Sequence, residues 1–505
     1  MKPTRKLRSL KASRAEAIGL PFMHAQLLGV FRQLALFERP ADEVLHRHFR
    51  AEAKIGRRDR HMLAEQVYFM LRHRRRLLHR SEGMAPPEGW PASEPWDTAA
   101  RLLRAVLEEL GSDSWTTPTG QGRAAHANDP RGLEALHEAV YYSLPNWLHQ
   151  RLKNQAPEDP EAAQTLYAAL LQPAALDLRA ASWHPEHSGG AGALGSGSST
   201  ARPANAGSSE AWIDGVVALL AADGVEAQPY CGVPGALRVV GKPALERTRA
   251  FTAGLVEVQD AGSQVIAALL APRRGQVLVD FCAGAGGKTL ALGAALRNTG
   301  QVFACDVSAS RLARLRPRLQ RSGLSNVQPI LIADENDLKL GKLVAKADAV
   351  LVDVPCSGTG TLRRNPDLKW RLKEKDLGAI TDRQSRILRA AARLVRPGGW
   401  LVYASCSLLR EENEEQVESF LAESPEFAVE PLGPVLEAAD IAIGLATLDE
   451  RSGLHVWRSD MVRDACDGFF AVRMRRVPRN LRAAEVSPSA ALITEGRKPK
   501  AHVPQ

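Results

Sequence analysis

Val277-Leu-Val-Asp280-Phe-Cys-Ala-Gly-Ala-Gly-Gly287-Lys-Thr289 runs from an apolar triplet ending at an acid through a glycine-rich turn into helix-forming residues. A short buried strand, a turn that lets backbone approach a ligand, and a helix opening at Lys288 make one unit of a parallel α/β sheet. In such sheets ligands sit beyond the carboxyl ends of the strands. The alternation continues downstream, with strands expected at 276–282, 301–306, 327–334, 347–354 and 399–405 and helices at 288–297, 308–322, 376–395 and 411–422. This predicts a doubly wound sheet covered on both faces. Leu454-His-Val-Trp457 and Gly468-Phe-Phe-Ala-Val-Arg473 are placed to close it antiparallel.

The strand ends carry the chemistry. Ala283-Gly-Ala-Gly-Gly287 offers main chain to a ligand, and the helix from Lys288 aims free N–H groups at the same spot. Asp306 ends the next strand, where an acid accepts hydrogen bonds from ribose hydroxyls; Asp334 is expected to close the third strand and Asp353 the fourth. Gly287-Lys-Thr289 imitates a P-loop, but that motif requires glycine where Cys282 stands, and Gly284-Ala-Gly286 is followed by Thr289 where a dinucleotide site wants glycine. The turn with three strand-end acids points instead to S-adenosylmethionine, whose adenosine needs a ribose acceptor and whose charged methionine end needs carboxylates and backbone.

Six cysteines are scattered without a Cys-x-x-Cys pair, a pattern of reduced thiols and neither a disulfide framework nor a zinc site. Asp353-Val-Pro-Cys356-Ser-Gly-Thr-Gly360 and, 50 positions after that cysteine, Tyr403-Ala-Ser-Cys406-Ser407 each put a thiol just past an apolar strand, so both face one crevice. Asp353 is their natural acidic partner. Cys231, Cys305 and Cys466 read as small buried hydrophobes, and Cys282 as a packing or backbone contact in the cofactor turn.

The net charge of +9 is uneven: residues 1–80 hold 19 Lys and Arg against 7 Asp and Glu. Arg72-His-Arg-Arg-Arg76 is hard to read as core; it is either a nucleic-acid footprint or a solvated helix face. His73 and His79 among these arginines do not read as metal ligands. A length of 505 residues implies several domains. We expect a basic arm at 1–17, a helical bundle at 18–155, and a small α+β module at 170–250 interrupted by a flexible Gly/Ser-rich loop at 187–209. The α/β domain at 251–478 and an unstructured tail at 479–505 follow. No apolar run approaches a membrane span, no secretory h-region follows the basic N-terminus, and a cytoplasmic location is expected.

The C-terminal half resembles the RsmB/Nop/Sun family of RNA cytosine-C5 methyltransferases. The resemblance lies in the Asp280–Thr289 turn, the Asp353–Gly360 string, Arg364-Asn-Pro-Asp367 with Trp370-Arg371, Pro397-Gly-Gly-Trp-Leu-Val-Tyr403, Cys406-Ser407 followed by Glu412-Asn413, and Asp467-Gly-Phe-Phe470. It implies a Rossmann-like class I methyltransferase using S-adenosylmethionine, with Cys406 as the nucleophile toward cytosine C6 and Cys356 assisting product release. Cofactor contacts are implied at Cys282, Ala283, Gly284, Ala285, Gly286, Gly287, Lys288, Asp306, Asp334 and Asp353. DNA cytosine methyltransferases attack from the Pro-Cys cysteine and lack a second one, so two cysteines favour RNA. Upstream, the chain is similar to the family's ribosomal-RNA branch: a NusB-like RNA-binding bundle, a small RRM-like module, and Tyr142-Ser-Leu-Pro-Asn-Trp-Leu148 at their junction. Ala285 stands where the family usually has proline and Ser405 where it usually has threonine.

Arg364, Asn365, Trp370 and Arg371, with Arg363, Lys369, Lys373 and Lys375 nearby, combine cations with an aromatic, as suits phosphate contact and base stacking. The alternative is a polar loop in which Trp370 merely packs. A substrate base must be unstacked to reach a sheet-end pocket. The sequence thus reads as a monomeric, metal-free methyltransferase acting on ribosomal RNA, with tRNA the alternative substrate and a non-catalytic RNA-binding assembly factor the alternative class.

Overall fold

Apolar residues spaced by three and four pack the first third of the chain. The computed structural model describes residues 22–82, 99, 101–103, 105–106, 138–155, 158–182 and 209–478. The expected arm at 1–17, residues 187–208 of the Gly/Ser-rich segment and the tail from 479 lie outside the described residues, as does part of the helix expected at 99–110. Helices Phe22–Leu34, Ala41–Ala51 and Arg57–Glu82 meet through Leu27, Val30, Phe31, Leu63, Val67, Met70 and Leu71, all buried. At about 1.5–3 kcal/mol for each such side chain, this row holds the helices together. Asn146–Gln155 and Pro160–Leu170 form a second cluster with Leu362, Leu377, Leu409 and Met461 of the C-terminal half.

The basic run is a correction to the sequence reading. Arg72, Arg74 and Arg75 are buried. Arg72 donates to the Arg363 carbonyl (3.0 Å), Arg75 to the Leu144 carbonyl and Asn146 Oδ1 (2.8 Å), and the Arg74 guanidinium lies 4.9 Å from the Phe37 ring centre and 5.2 Å from that of Trp370. From the other side, Lys369 Nζ donates to the Arg72 carbonyl (3.0 Å) and Trp370 Nε1 to the Leu71 carbonyl (2.7 Å). The Asp367 carboxylate accepts from Ala41 N, at the start of its helix, and pairs with Arg371 at 3.1 Å. Trp370 and Arg371, read as possible RNA contacts, thus serve a seam between helical region and C-terminal half. A planar guanidinium saturates carbonyls and stacks on rings as readily as it binds phosphate, and composition does not separate the two uses.

Beyond this region, β1 (Leu176–Ala180), β2 (Ala227–Pro229), β3 (Ala236–Val239) and β4 (Val256–Val258) form an antiparallel sheet in the order β2-β3-β1-β4. Helix Ser209–Ala222 lies between β1 and β2, and Arg249–Thr252 between β3 and β4, a split β-α-β plan. Its core is Leu178, Val216, Leu220, Leu237 and Val256.

The larger sheet holds β5 (Val277–Asp280), β6 (Gln301–Asp306), β7 (Val327–Leu331), β8 (Ala347–Asp353), β9 (Val395–Ser405), β10 (Phe427–Val429), β11 (Leu445–Asp449), β12 (Leu454–Arg458) and β13 (Phe470–Arg476). Its order is β11-β12-β13-β9-β8-β5-β6-β7, with β10 on β13. Strands β5 to β9 are parallel, and β13 joins β9 antiparallel, as the late hydrophobic pair predicts. Neighbouring residues alternate between two cores: Val279, Val350, Val352, Leu401 and Tyr403 face helix Asp376–Ala392, while Leu278, Ala349, Leu351, Val402 and Ala404 face Ala261–Ala268 and Gly287–Ala295. Burial on both faces is why these strands read as continuous apolar runs.

The third strand ends early. Asp337 Oδ2 accepts from Ala333 N (2.7 Å) and Oδ1 from Lys339 N (2.9 Å), drawing the chain out of the ladder after Leu331, so Asp334 lies exposed in a bend rather than at a strand end. The helix expected at 411–422 is a 3₁₀ turn at Arg410–Glu412 followed by Glu414–Glu423. Cys231 is exposed, against expectation; Cys305 and Cys466 are buried. Among the described residues no helix is long and apolar enough to cross a membrane, and no group of three or more His, Cys, Asp and Glu is placed to hold a metal ion.

Candidate active site

Register aligns the strand ends. Asp280 of β5 pairs with Leu351 of β8, and Asp353 of β8 with Ala404 of β9, so Asp280, Asp353, Cys356 and Cys406 all stand at the same carboxyl edge. The turn after β5 is pinned by Ala283 N on the Cys305 carbonyl (2.9 Å) and Gly284 N on Asp306 Oδ2 (2.8 Å). Gly286, at φ +83°, ends the turn; a Cβ there would stand 2.2 Å from Leu315 Cδ1, so helix Gly287–Ala295 begins behind a residue that must be glycine. Asp306 Oδ1 accepts from Ser308 N (2.7 Å). Asp306 therefore braces both the turn and the next helix, and each oxygen keeps a second lone pair for a ligand.

Lys288 reaches across to Asp353, Nζ to Oδ2 2.6 Å, and lies 5.5 Å from the Phe469 ring centre. Burial draws its ammonium down, but Asp353 and then Cys406 outweigh this and hold it above its ordinary value. Asp280, scarcely considered in the sequence, sits fully buried beneath the turn and accepts from Thr289 Oγ1 at 2.6 Å. Burial pushes its carboxyl up to about 6 despite that bond. Burial, with the acids Asp280, Asp353 and Asp306, pushes the Cys282 thiol well up, away from the thiolate form that a nucleophile needs.

The two cysteines meet, Sγ to Sγ 3.3 Å, and both remain partly accessible. The hydrogen bond to Cys406, then burial, then the charges of Cys406 and Glu412, push the Cys356 thiol well above its ordinary value. Either thiol can donate across this contact. The Cys356 loop is held close by Gly360, whose N–H donates to the Cys406 carbonyl (2.9 Å) and whose carbonyl accepts from Gly468 N (2.8 Å). Any Cβ at Gly360 would stand 2.0 Å from the Gly468 oxygen.

Arg364 is spent on structure: Nε pairs with Asp467 (2.9 Å) and a terminal nitrogen with Asp260 (3.0 Å), tying the Cys356 segment to the two chain stretches around it. Asn365 is exposed, its amide donating to Thr361 of its own turn. Lys373 and Lys375 are exposed. Sequence reasoning passed over Asp280 and Glu412. Asp280 ends an apolar strand like the acids that were noticed, whereas the partners of Glu412 carry no local signal.

Residues 267–475 match the family described as 16S rRNA methyltransferase RsmB/F. These residues belong to the RsmB/F methyltransferase family. The chain is similar to ribosomal RNA small subunit methyltransferase B of Sodalis glossinidius, 36% identical over 261 residues, covering 52% of this chain and 56% of the relative. The protein of that name in Pasteurella multocida is 35% identical over 266 residues, covering 51% and 55%. The chain thus spans little more than half the length of the curated relatives it matches. Two solved structures share the fold: PH0851, at TM-score 0.65 and 23% identity over 90% of this chain and 99% of that one, and NSun6 from Pyrococcus horikoshii with SFG, an S-adenosylmethionine analogue, at TM-score 0.52 and 21% identity over 66% and 98%.

Proposed function

We propose that this protein methylates C5 of a cytosine in RNA, small-subunit ribosomal RNA being the substrate class favoured by its relatives' names, with S-adenosylmethionine as methyl donor. The observation that carries this reading is the pair of thiols 3.3 Å apart at adjacent strand ends, beside the Lys288–Asp353 pair and the glycine turn. The turn suits the cofactor: a Cβ at Gly284 would meet nothing within 4 Å, so main chain is left open to a ligand where side chains would intrude. Asp306 is the acid for the ribose hydroxyls, and Gly284 to Lys288 would hold the methionine end. The cofactor supplies a sulfonium methyl, an electrophile needing a carbon nucleophile.

Cytosine C5 is a poor nucleophile, and the chain's residues remedy this. The Cys406 thiolate adds to C6, and the electron pair displaced toward the ring makes C5 an enamine carbon that takes the methyl group. Lys288 stabilises the thiolate electrostatically, and the proton it shares with Asp353 serves the ring nitrogen on which charge develops. Loss of the C5 proton to a base then re-forms the double bond and expels Cys406, with Cys356 placed to protonate the departing sulfur. We further propose that the helical region is the NusB-like RNA-binding domain and the four-stranded sheet the RRM-like module, with Lys373 and Lys375 available to phosphate.

The test is transfer of labelled methyl to small-subunit ribosomal RNA, naked and in particles. Cys406→Ala is expected to lose at least about 10⁴-fold in rate, as for other covalent nucleophiles, and Cys356→Ala to accumulate a covalent protein–RNA adduct. A Cys406→Ala variant with wild-type transfer would overturn the reading.

A further inference from the structure

One buried carboxylate joins the two cysteine loops. Glu412 is fully buried, and no ion pair to it forms among the described residues. Three donors converge on it: Ser357 N (2.7 Å) and Gln384 Nε2 (2.9 Å) on Oε2, and Ser407 Oγ (2.5 Å) on Oε1. Ser357 directly follows Cys356, and Ser407 directly follows Cys406. The hydroxyls of Ser357 and Thr359 each lie 3.1 Å from that of Ser407, and Thr359 Oγ1 accepts from Leu408 N (2.8 Å).

The carboxylate is itself held. Tyr403 OH donates to the Glu412 carbonyl (2.6 Å), fixing its main chain against β9. Asn413 accepts from Ser405 Oγ and donates to the Ser407 carbonyl (2.9 Å), which also explains how serine serves at 405. Removing a carboxylate from water costs several kcal/mol. A glutamine of the same shape would avoid that cost but keep a single acceptor: with its oxygen on Ser357 N and Gln384 Nε2, its NH₂ would donate to Ser407 Oγ and turn that hydroxyl's proton toward Ser357 or Thr359. The carboxylate instead accepts on both oxygens.

We propose that Glu412 is the positioning residue of the cysteine pair: by gathering the residue after each cysteine onto one carboxylate, it sets the Cys356–Cys406 separation. The inference deepens the cytosine-methylation reading and rests on it for the roles of the two thiols. Glu412 touches neither thiol by hydrogen bond; it acts through Ser357 and Ser407. Its charge adds to those that push the Cys356 thiol up.

The experiment uses the full chain, with iodoacetamide as thiol probe and ribosomal RNA as substrate. Alkylation at Cys406 and Cys356 is followed by mass spectrometry across pH, and affinity for S-adenosylhomocysteine by calorimetry. In Glu412→Gln, single-turnover methyl transfer should fall about 100-fold, the cost of an ångström-scale misplacement, with cofactor affinity unchanged. The preference of iodoacetamide for Cys406 over Cys356 should shrink. Ser407→Ala, which removes one donor, should move both readouts in the same direction by less. A wild-type alkylation preference in Glu412→Gln, or a parallel fall of cofactor affinity and transfer, would overturn the proposal. If Glu412→Gln does not fold, an unchanged preference in Ser407→Ala overturns it. The alkylation readout needs neither RNA nor cofactor, so wild-type protein that transfers no methyl would refute the methylation reading separately.

Discussion

Lys369 is buried and Lys288 largely so, each at a junction between distant segments, and their surroundings drive them in opposite directions. Lys288, at the sheet end, faces the Asp353 carboxylate and is held above the usual ammonium range. Lys369, in the seam, donates a hydrogen bond to the Arg72 carbonyl; burial, then Arg72 and Arg75, pull it well below. The same contrast runs through both regions. In the seam Arg72, Arg74 and Lys369 end on carbonyls and aromatic rings, with Arg371 on Asp367 the exception, whereas charges at the sheet end meet opposite charges or converging dipoles while one side stays open to a ligand. A buried charge satisfied by neutral groups marks structure; one balanced by an opposite charge at an open strand edge marks chemistry.

Replacing both lysines by methionine tests that distinction most directly. Lys288→Met should lower methyl transfer by about 10²–10⁴-fold, the range for a residue that stabilises reacting charge or assists proton transfer, with little change in the melting temperature. Lys369→Met should leave transfer intact and stabilise the fold at neutral pH by about 1–4 kcal/mol, as replacement of costly buried charges by apolar groups can do. The sign follows from linkage: a lysine depressed in the folded state binds its proton more readily when unfolded. Stability therefore rises with pH from the folded value up to the unfolded one, and methionine should remove that slope. Equal losses of transfer in the two variants, measured alongside urea unfolding, would collapse the contrast.

The sequence makes one side of this contrast far more legible. The runs Val277–Val279, Ala349–Val352 and Trp400–Tyr403 are apolar because helices cover both faces of their sheet, and a ligand edge follows from parallel topology alone. Cys356 and Cys406 could be placed together because each directly follows such a run. Nothing comparable marks the seam. Arg72 to Arg76 has the composition of an RNA footprint, and only the position of Arg363, Lys369 and Trp370, nearly 300 residues away in sequence, turns it inward. The Glu412-Asn413 motif gives no hint of a role for Glu412, since Ser357 and Gln384 reach it from 55 and 28 positions away. Asp334 was misplaced because Asp337, three residues on, decides where the strand stops.

Asp280 supplies a smaller effect at the sheet end. Its carboxyl is raised to about 6, chiefly by burial, so the folded protein binds its proton more readily than the unfolded chain does. Its stability contribution is therefore best at low pH and is lost as pH rises from near 4 through about 6. Asp280→Asn keeps an acceptor for Thr289 and should add about 1–3 kcal/mol at pH 7.5, two pK units of strain being the upper limit. Stability curves at pH 5 and 7.5 should converge in this variant, while affinity for S-adenosylhomocysteine falls. A variant more stable at pH 7.5 with undiminished affinity would make the charge incidental to the site.

Arg318 unites both habits in one side chain and should show the smallest effect. One terminal nitrogen donates to the Ala285 carbonyl at 2.8 Å, as a seam arginine would, while Nε pairs with Glu257 of β4 at 3.0 Å. Glu257, nearly buried, also takes Arg321. The small sheet thereby grips the cofactor turn at the position where a proline would have stiffened it. Losing a charge-assisted hydrogen bond costs about 1.5–3 kcal/mol when nothing replaces it, and water can reach this half-buried site. Arg318→Ala is therefore expected to weaken S-adenosylhomocysteine binding about tenfold, near the lower end of that range at 1.4 kcal/mol per decade. Glu257→Gln leaves the guanidinium in place but less firmly aimed, and should cost less. Calorimetry on the full chain separates the alternatives: if affinity falls for Arg318→Ala and less so for Glu257→Gln, the carbonyl contact positions the turn. If Glu257→Gln is the worse of the two, the ion pair itself is what the turn depends on, and Arg318 belongs with Lys288 rather than with the seam.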